Sequence, residues 1–340
     1  MTYTKKEIIG IKSIGIYVPE NVHTSEYIAG KSGIPKDVVE EKFGIRKKHK
    51  AGPDEHPSHM AIKAANKALK DFDPKELDLV IYCGSEYKDY YLYNLSAKIQ
   101  YSIGAVNANA FEIHSLCSAG VLSLKIARDI MLVDPEINNV LVVTASKELD
   151  LVDYSNQKSR FMFNFGDGAA AALLVKGYRR NRILETHMIT DGSFANDVAV
   201  YSIGSAKYYK IQTSKGRYIL DVKDPEDMKK RLDPVSGKYF YTVIQKCVEK
   251  SGYTIKDIDF LAAIHMKRSI HRYLLESLNL TEENSFYLED YGHCQSADAF
   301  IGLYEASKMG RLKDGDLVVM LGAGTGYTWA ATALLWGEQR

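Results

Sequence analysis

Apolar positions along the chain fall into two kinds of run. Short continuous stretches introduced by charged residues, Leu79-Val-Ile-Tyr-Cys83 after Lys75-Glu-Leu-Asp and Phe260-Leu-Ala-Ala-Ile264 after Lys256-Asp-Ile-Asp, read as strands buried on both faces. Stretches with apolar residues at period 3.6 read as helices; the clearest opens on the small residues of Cys117-Ser-Ala-Gly and runs to Arg128. Strands alternating with helices predict an α/β protein whose sheets are covered by helices.

The second half of the pattern repeats the first. A further helix opens on small residues at His293-Cys-Gln-Ser-Ala, and the strands starting Leu141-Val-Val and Leu317-Val-Val each lie 24 positions beyond Cys117 and His293. Both halves close on a glycine turn and an apolar run, Phe165-Gly-Asp-Gly to Val175 and Gly324-Thr-Gly to Trp336. We read a duplicated α/β unit with halves at 1–176 and 177–340. Symmetric halves bring equivalent helix and strand ends to one interface, where sites of such sheets gather.

Composition narrows the class. With 340 residues, 46% hydrophobic, the chain can bury a large core, and no run approaches the ~18 apolar residues of a membrane span. A net charge of +1 gives no reason to expect nucleic acid. The four cysteines, at 83, 117, 247 and 294, have neither metal-ligand spacing nor a paired pattern, so we expect a reducing, cytoplasmic compartment and no metal. The start, Met1-Thr-Tyr-Thr-Lys-Lys-Glu7, shows no signal peptide.

Cys117 is the first candidate for chemistry. Unpaired N–H groups and the positive end of the dipole at a helix start favour thiolate, so a free cysteine there can serve as nucleophile; a small buried hydrophobe is the alternative. His265, just after a buried strand, and His293 are either partners of that thiol or satisfied core histidines. The Gly322-Ala-Gly-Thr-Gly326 loop precedes a strand rather than a helix, which argues against a dinucleotide cradle.

At these residues the sequence resembles the thiolase-fold condensing enzymes, closest to β-ketoacyl-acyl-carrier-protein synthase III and its relatives, including 3-hydroxy-3-methylglutaryl-CoA synthases. The likeness is carried by Ile11 to Glu20, Lys42-Phe-Gly-Ile-Arg46, Phe165-Gly-Asp-Gly-Ala169 and Gly322 to Trp329, in that order over nearly the whole chain. It implies a layered αβαβα fold with Cys117 as the acyl-carrying nucleophile and His265 as the catalytic histidine. His293 stands where the family usually has asparagine, an arrangement similar to the elongating synthases. The resemblance also implies an oxyanion hole from the backbone N–H groups of Cys117 and Thr325, and contacts of Lys42, Lys267 and Arg268 with coenzyme A or carrier protein. Glu86 ends its strand where the synthase III pattern has a small hydroxyl residue and hydroxymethylglutaryl-CoA synthases have an acid/base glutamate.

The implied function is a Claisen condensation of two acyl thioesters, in fatty acid or polyketide biosynthesis, by a homodimer that needs no cofactor beyond its acyl-CoA and acyl-carrier-protein substrates. Decarboxylation of a malonyl donor, with His265 and His293 holding the enolate oxygen, is the expected source of the carbanion. Two other readings stand beside it: an aldol condensation using Glu86, and a catalytically silent subunit that binds acyl carrier protein.

Overall fold

Each apolar run is a strand of a nine-stranded sheet in the computed structural model of the protein, which describes residues 8–206 and 218–338. The segment Met1 to Glu7, read above for a targeting signal, lies outside the described residues. In chain order the strands are β1 (Ile9–Tyr17), β2 (Leu79–Gly84), β3 (Asn109–His114), β4 (Asn139–Ser146), β5 (Gly168–Lys176), β6 (Arg182–Thr190), β7 (Ile258–Ala263), β8 (Leu317–Gly324) and β9 (Thr328–Leu335). Across the sheet they run β7-β8-β9-β6-β1-β5-β4-β2-β3. The middle of that order is nearly a break, because β6 meets β1 through one bridge, Gly10 to Arg182.

On either side of the break the connections repeat. β2 pairs parallel with β4, β4 antiparallel with β5, and β5 antiparallel with β1; β7, β8, β9 and β6 follow the same sequence of parallel, antiparallel and antiparallel pairs. The outer strand β3 has a remnant counterpart, a parallel bridge from Leu261 to Ser285. We propose that residues 1–176 and 177–340 are the two halves of the duplicated unit.

Six helices fill the layers: α1 (Pro57–Ala68), α2 (Leu95–Ser102), α3 (Ala119–Val133), α4 (Pro225–Lys250), α5 (Arg268–Ser277) and α6 (Asp298–Lys308). Side chains alternate across each strand, which decides the layer each residue joins. Ile81 and Val142 from one half-sheet and Phe260 and Met320 from the other face Leu124 of α3 and Phe300 of α6 in a central core. Their neighbours Val80, Tyr82 and Val143 turn outward onto Met60 and Ala64 of α1 and Ile99 of α2, while Leu261 and Val319 turn outward onto Val243 and Ile244 of α4 and Leu274 of α5. The result is the expected αβαβα stack.

Local preference yields to this packing in β5, where four consecutive alanines, good helix formers, lie extended between β1 and β4. Small side chains there let a helix lie close to the sheet. At Gly15 of β1 the approach is tightest, since a Cβ would sit 2.3 Å from the carbonyl oxygen of Ala64 in α1.

Candidate active site

Strand β3 ends at His114, and Leu116–Ser118 forms one 3₁₀ turn before α3 begins, with Cys117 at its centre. Leu116 holds a left-handed φ of 48°, costly for a branched residue and sustained by the packing around it. In the other half Gln295 has φ 56° and opens the 3₁₀ turn Gln295–Ala297 that leads into α6. Leu116 and Gln295 are therefore the structural equivalents, and the repeat read from sequence, which aligned Cys117 with His293, is displaced by three positions; Cys117 corresponds to Ser296.

The two turns cross. Ser296 Oγ–H donates to Leu116 O at 2.6 Å, and a Cβ on Gly120 would stand 2.3 Å from Ser296 O. Only glycine lets the helix starts come this close, and the crossing carries His293, just ahead of the second turn, onto the thiol of the first.

His293 is buried, with Nε2 3.1 Å from Cys117 Sγ. Its Nδ1–H donates to Asp298 Oδ2 at 2.6 Å, because a carboxylate can only accept; Nε2 is left to face the sulfur. Asp298 is 1% exposed and is held by two further donors, His265 N–H to Oδ2 at 2.7 Å and Cys294 N–H to Oδ1 at 2.6 Å. Burial disfavours a charged His293, but the Asp298 carboxylate and Cys117 outweigh it and hold its pKa well above the ordinary histidine range. The chain Asp298–His293–Cys117 is thus built to move one proton between imidazole and sulfur.

His265 lies beside this chain in a different state. Its Nε2 meets Gly44 O at 3.2 Å, and since a carbonyl only accepts, that nitrogen carries the hydrogen; Nδ1 then accepts from Asn164 Nδ2 at 3.0 Å. Burial lowers its pKa to about 3, opposed by the Gly44 bond and reinforced by His293. His265 is accordingly a neutral imidazole whose two nitrogens both have protein partners.

The other sequence candidates are placed differently. Glu86 has a side chain 71% exposed and pairs with His114 Nδ1 at 2.6 Å; none of its polar contacts is with Cys117, His265 or His293. Arg268 is taken up by Glu289 and Glu282 and lies over the Tyr287 ring, while Lys42 and Lys267 are exposed. Gly324 ends β8 against the nucleophile turn, where a Cβ would stand 2.6 Å from Ser115 O and 3.2 Å from Cys117 N, so the chain entering Thr325 passes beside the Cys117 amide. Cys294 is fully buried, which pushes its thiol well above the ordinary range.

Three residues that sequence reasoning missed complete the arrangement: Asp298, Asn164 and Gly44. Asp298 reads in sequence as an acid on the first turn of a helix, favourable to the dipole and needing no further role. A usable signal was its position five residues after His293 and across a turn of small residues. Asn164, the last residue of the 3₁₀ segment Gln157–Asn164, and Gly44, inside the Lys42–Arg46 segment, are far from His265 in sequence, and no spacing marks them as its partners. Tyr327 adds an aromatic wall by stacking on Trp329, with Cys117 packed against the same cluster. Among the described residues no group of three or more His, Cys, Asp or Glu could hold a metal ion.

Comparison with known proteins agrees with this architecture. The profile of the family described as 3-Oxoacyl-[acyl-carrier-protein (ACP)] synthase III matches residues 111–192, and that of its C-terminal part matches 248–336. The Beta-ketoacyl-[acyl-carrier-protein] synthase III of Aquifex aeolicus is 28% identical, covering 96% of this chain and 99% of its own, and that of Rickettsia bellii is 24% identical, covering 95% and 98%. The crystal structure of the 3-oxoacyl-[acyl-carrier-protein] synthase III from Aquifex aeolicus superposes with a TM-score of 0.84 at 26% identity, covering 96% of this chain and 100% of that one. With the duplicated αβαβα stack and a cysteine at the crossing of its two helix starts, the chain belongs to the thiolase-fold condensing enzymes of the β-ketoacyl-[acyl-carrier-protein] synthase III type, which are acyltransferases of the Claisen class.

Proposed function

We propose that the protein joins two acyl thioesters, borne on coenzyme A or acyl carrier protein, by first taking an acyl group onto Cys117. The observation that carries this is the 3.1 Å contact of His293 Nε2 with Cys117 Sγ, backed at 2.6 Å by Asp298. In the resting pair one proton is shared between sulfur and imidazole. Attack of the sulfur on an acyl-CoA forms the Cys117 thioester, and His293 passes its proton to the departing coenzyme A thiol. Backbone N–H groups of Cys117 and Thr325 are our assignment for the developing oxyanion.

A second thioester then supplies the attacking carbon. For His265 to help hold its enolate oxygen alongside His293, Nε2–H has to leave Gly44 O; in the arrangement described it lends its backbone N–H to Asp298 and so links the two histidines. Lys42 and Lys267 are the exposed cations we assign to phosphate or carrier contact, and Arg268 is set aside because its partners are acidic residues of its own chain. The edge strand β3, with Phe111 partly exposed and Tyr90, Tyr91, Leu92 and Tyr101 open nearby in sequence, supports a homodimer. Four unpaired cysteines support a cytosolic setting.

Intact-protein mass spectrometry after mixing with a panel of short, medium and aromatic acyl-CoAs tests the central step. One acyl group should appear on the wild type and none on a folded Cys117→Ala variant. If that variant formed condensation product at the wild-type rate, the acyl-enzyme reading would be wrong.

A further inference from the structure

The acceptor of the Cys117 acyl group can be argued from what each kind of acceptor needs. A decarboxylating carbon donor carries no proton to remove; it needs N–H donors converging on its thioester oxygen as CO₂ departs. A hydroxyl or amine must lose a proton as it attacks, so it needs an unprotonated base beside the acyl carbon. The two demands call for different states of the same histidines.

The site meets the second demand more fully. His293 Nε2 lies directly on Cys117 Sγ, and therefore beside any acyl carbon bound there, while its other nitrogen is fixed on a carboxylate that is itself held by two backbone donors. The imidazole that would supply a second N–H to an enolate oxygen, His265, has Nε2–H on Gly44 O and Nδ1 on Asn164. Asp298 gives His293 what a general base requires, because it fixes the tautomer and stabilises the imidazolium that forms when a proton is taken.

We propose that the Cys117 acyl-enzyme also acylates a hydroxyl or amine, giving an ester or amide, with His293 as general base and Asp298 as its positioning residue. This rests on the acyl-enzyme reading above. The balance closes without a co-reactant. Acylation leaves His293 neutral, its proton having gone to coenzyme A. The acceptor's oxygen or nitrogen then bonds to the acyl carbon, its proton passes to His293 Nε2, the bond from carbon to Cys117 Sγ breaks, and the sulfur and imidazolium return to their starting state.

The test uses hydroxylamine as the amine probe and ethylene glycol as the hydroxyl probe on acyl-enzyme preformed from acyl-CoA, following loss of the adduct and appearance of hydroxamate or glycol ester. The wild type should discharge to at least one probe about 10²-fold or more faster than Asp298→Asn. A purely structural role for Asp298 would leave the pH profile unmoved, so that profile is the second readout. Discharge should rise with pH through the His293 transition, and the inflection should fall to lower pH in Asp298→Asn, since the carboxylate holds that transition up. Cys117, Glu148 and His265 also act on His293, and all three are unchanged in the variant. If Asp298→Asn folds poorly by urea titration, His293→Asn carries the rate comparison. An adduct that forms but is discharged by neither probe faster than in the variant overturns the inference and leaves the acyl-enzyme reading standing. No adduct with any acyl-CoA of the panel overturns both.

Discussion

A thiol becomes a working nucleophile only when its proton has somewhere to go. Among the four cysteines, Cys83, Cys247 and Cys294 are buried, and burial pushes Cys83 and Cys247 up to about 12; only Cys117 is partly exposed and touches an imidazole. Iodoacetamide should therefore label the native protein at Cys117 alone, and His293→Ala should slow that labelling by about tenfold or more. Peptide mapping after limited alkylation reads both, and equal labelling of Cys83 would contradict the burial argument. The nucleophile was legible because a cysteine opening a helix on small residues is unusual in one line of sequence. Asp298 was not, because its contact with His293 depends on the left-handed turn at Gln295 folding the chain back on itself, and no spacing rule encodes that. Glu86 is the converse case: its place two residues beyond β2 was readable, while its exposure and its bond to His114 depend on neighbours from β3.

Between elements, what matters is how closely two helix starts approach. The strands and central helices were legible from continuous apolar runs and period 3.6, and the duplication from their order. Its register was not, since the left-handed residues Leu116 and Gln295 that mark equivalent positions are side chains with no sequence preference for that conformation. Gly120 sets the crossing, so Gly120→Ala should force the two turns apart, destabilising the fold by about 1–3 kcal/mol and lengthening the path from His293 to Cys117. Turnover should fall more than the loss of folded protein explains. Gly192→Ala is the control, because a Cβ there meets nothing within 4 Å and should shift stability by no more than about 0.5 kcal/mol. Matching urea midpoints and turnover in the two variants would show that the helix starts tolerate separation.

Over the whole molecule, the same layers that make the site dry also bury histidines in neutral form, and that makes stability depend on acid. Desolvation lowers His23 to about 4, His265 to about 3 and His271 to about 4. A histidine whose folded pKa lies below its unfolded value of about 6.5 leaves the unfolded chain binding more protons in between, so stability is lost as pH falls from about 6.5 toward 4. Each such group contributes a slope of up to about 1.4 kcal/mol per pH unit. Asp167, raised to about 6 by burial, and Glu148, raised by the same cause, act in the opposite sense over part of that range, so the net slope alone does not isolate one residue. His271 offers the cleaner measurement. It is 3% exposed, sits against the Tyr287 ring, and neither ring nitrogen has a hydrogen-bond partner, with Glu282, Arg268 and Arg272 as the charges acting on it. His271→Leu removes an unsatisfied polar ring without breaking a side-chain bond, so the variant should be at least as stable as the wild type at pH 7.5. Below pH 6.5 its advantage should widen by up to about 1.4 kcal/mol per unit, because only the wild type must give up a proton at this position to fold. Urea midpoints of both proteins at pH 7.5, 6.5, 5.5 and 5.0 measure the gap. Parallel curves across that series would mean that His271 takes up its proton within the fold, and that the layers around it are wetter than their packing indicates.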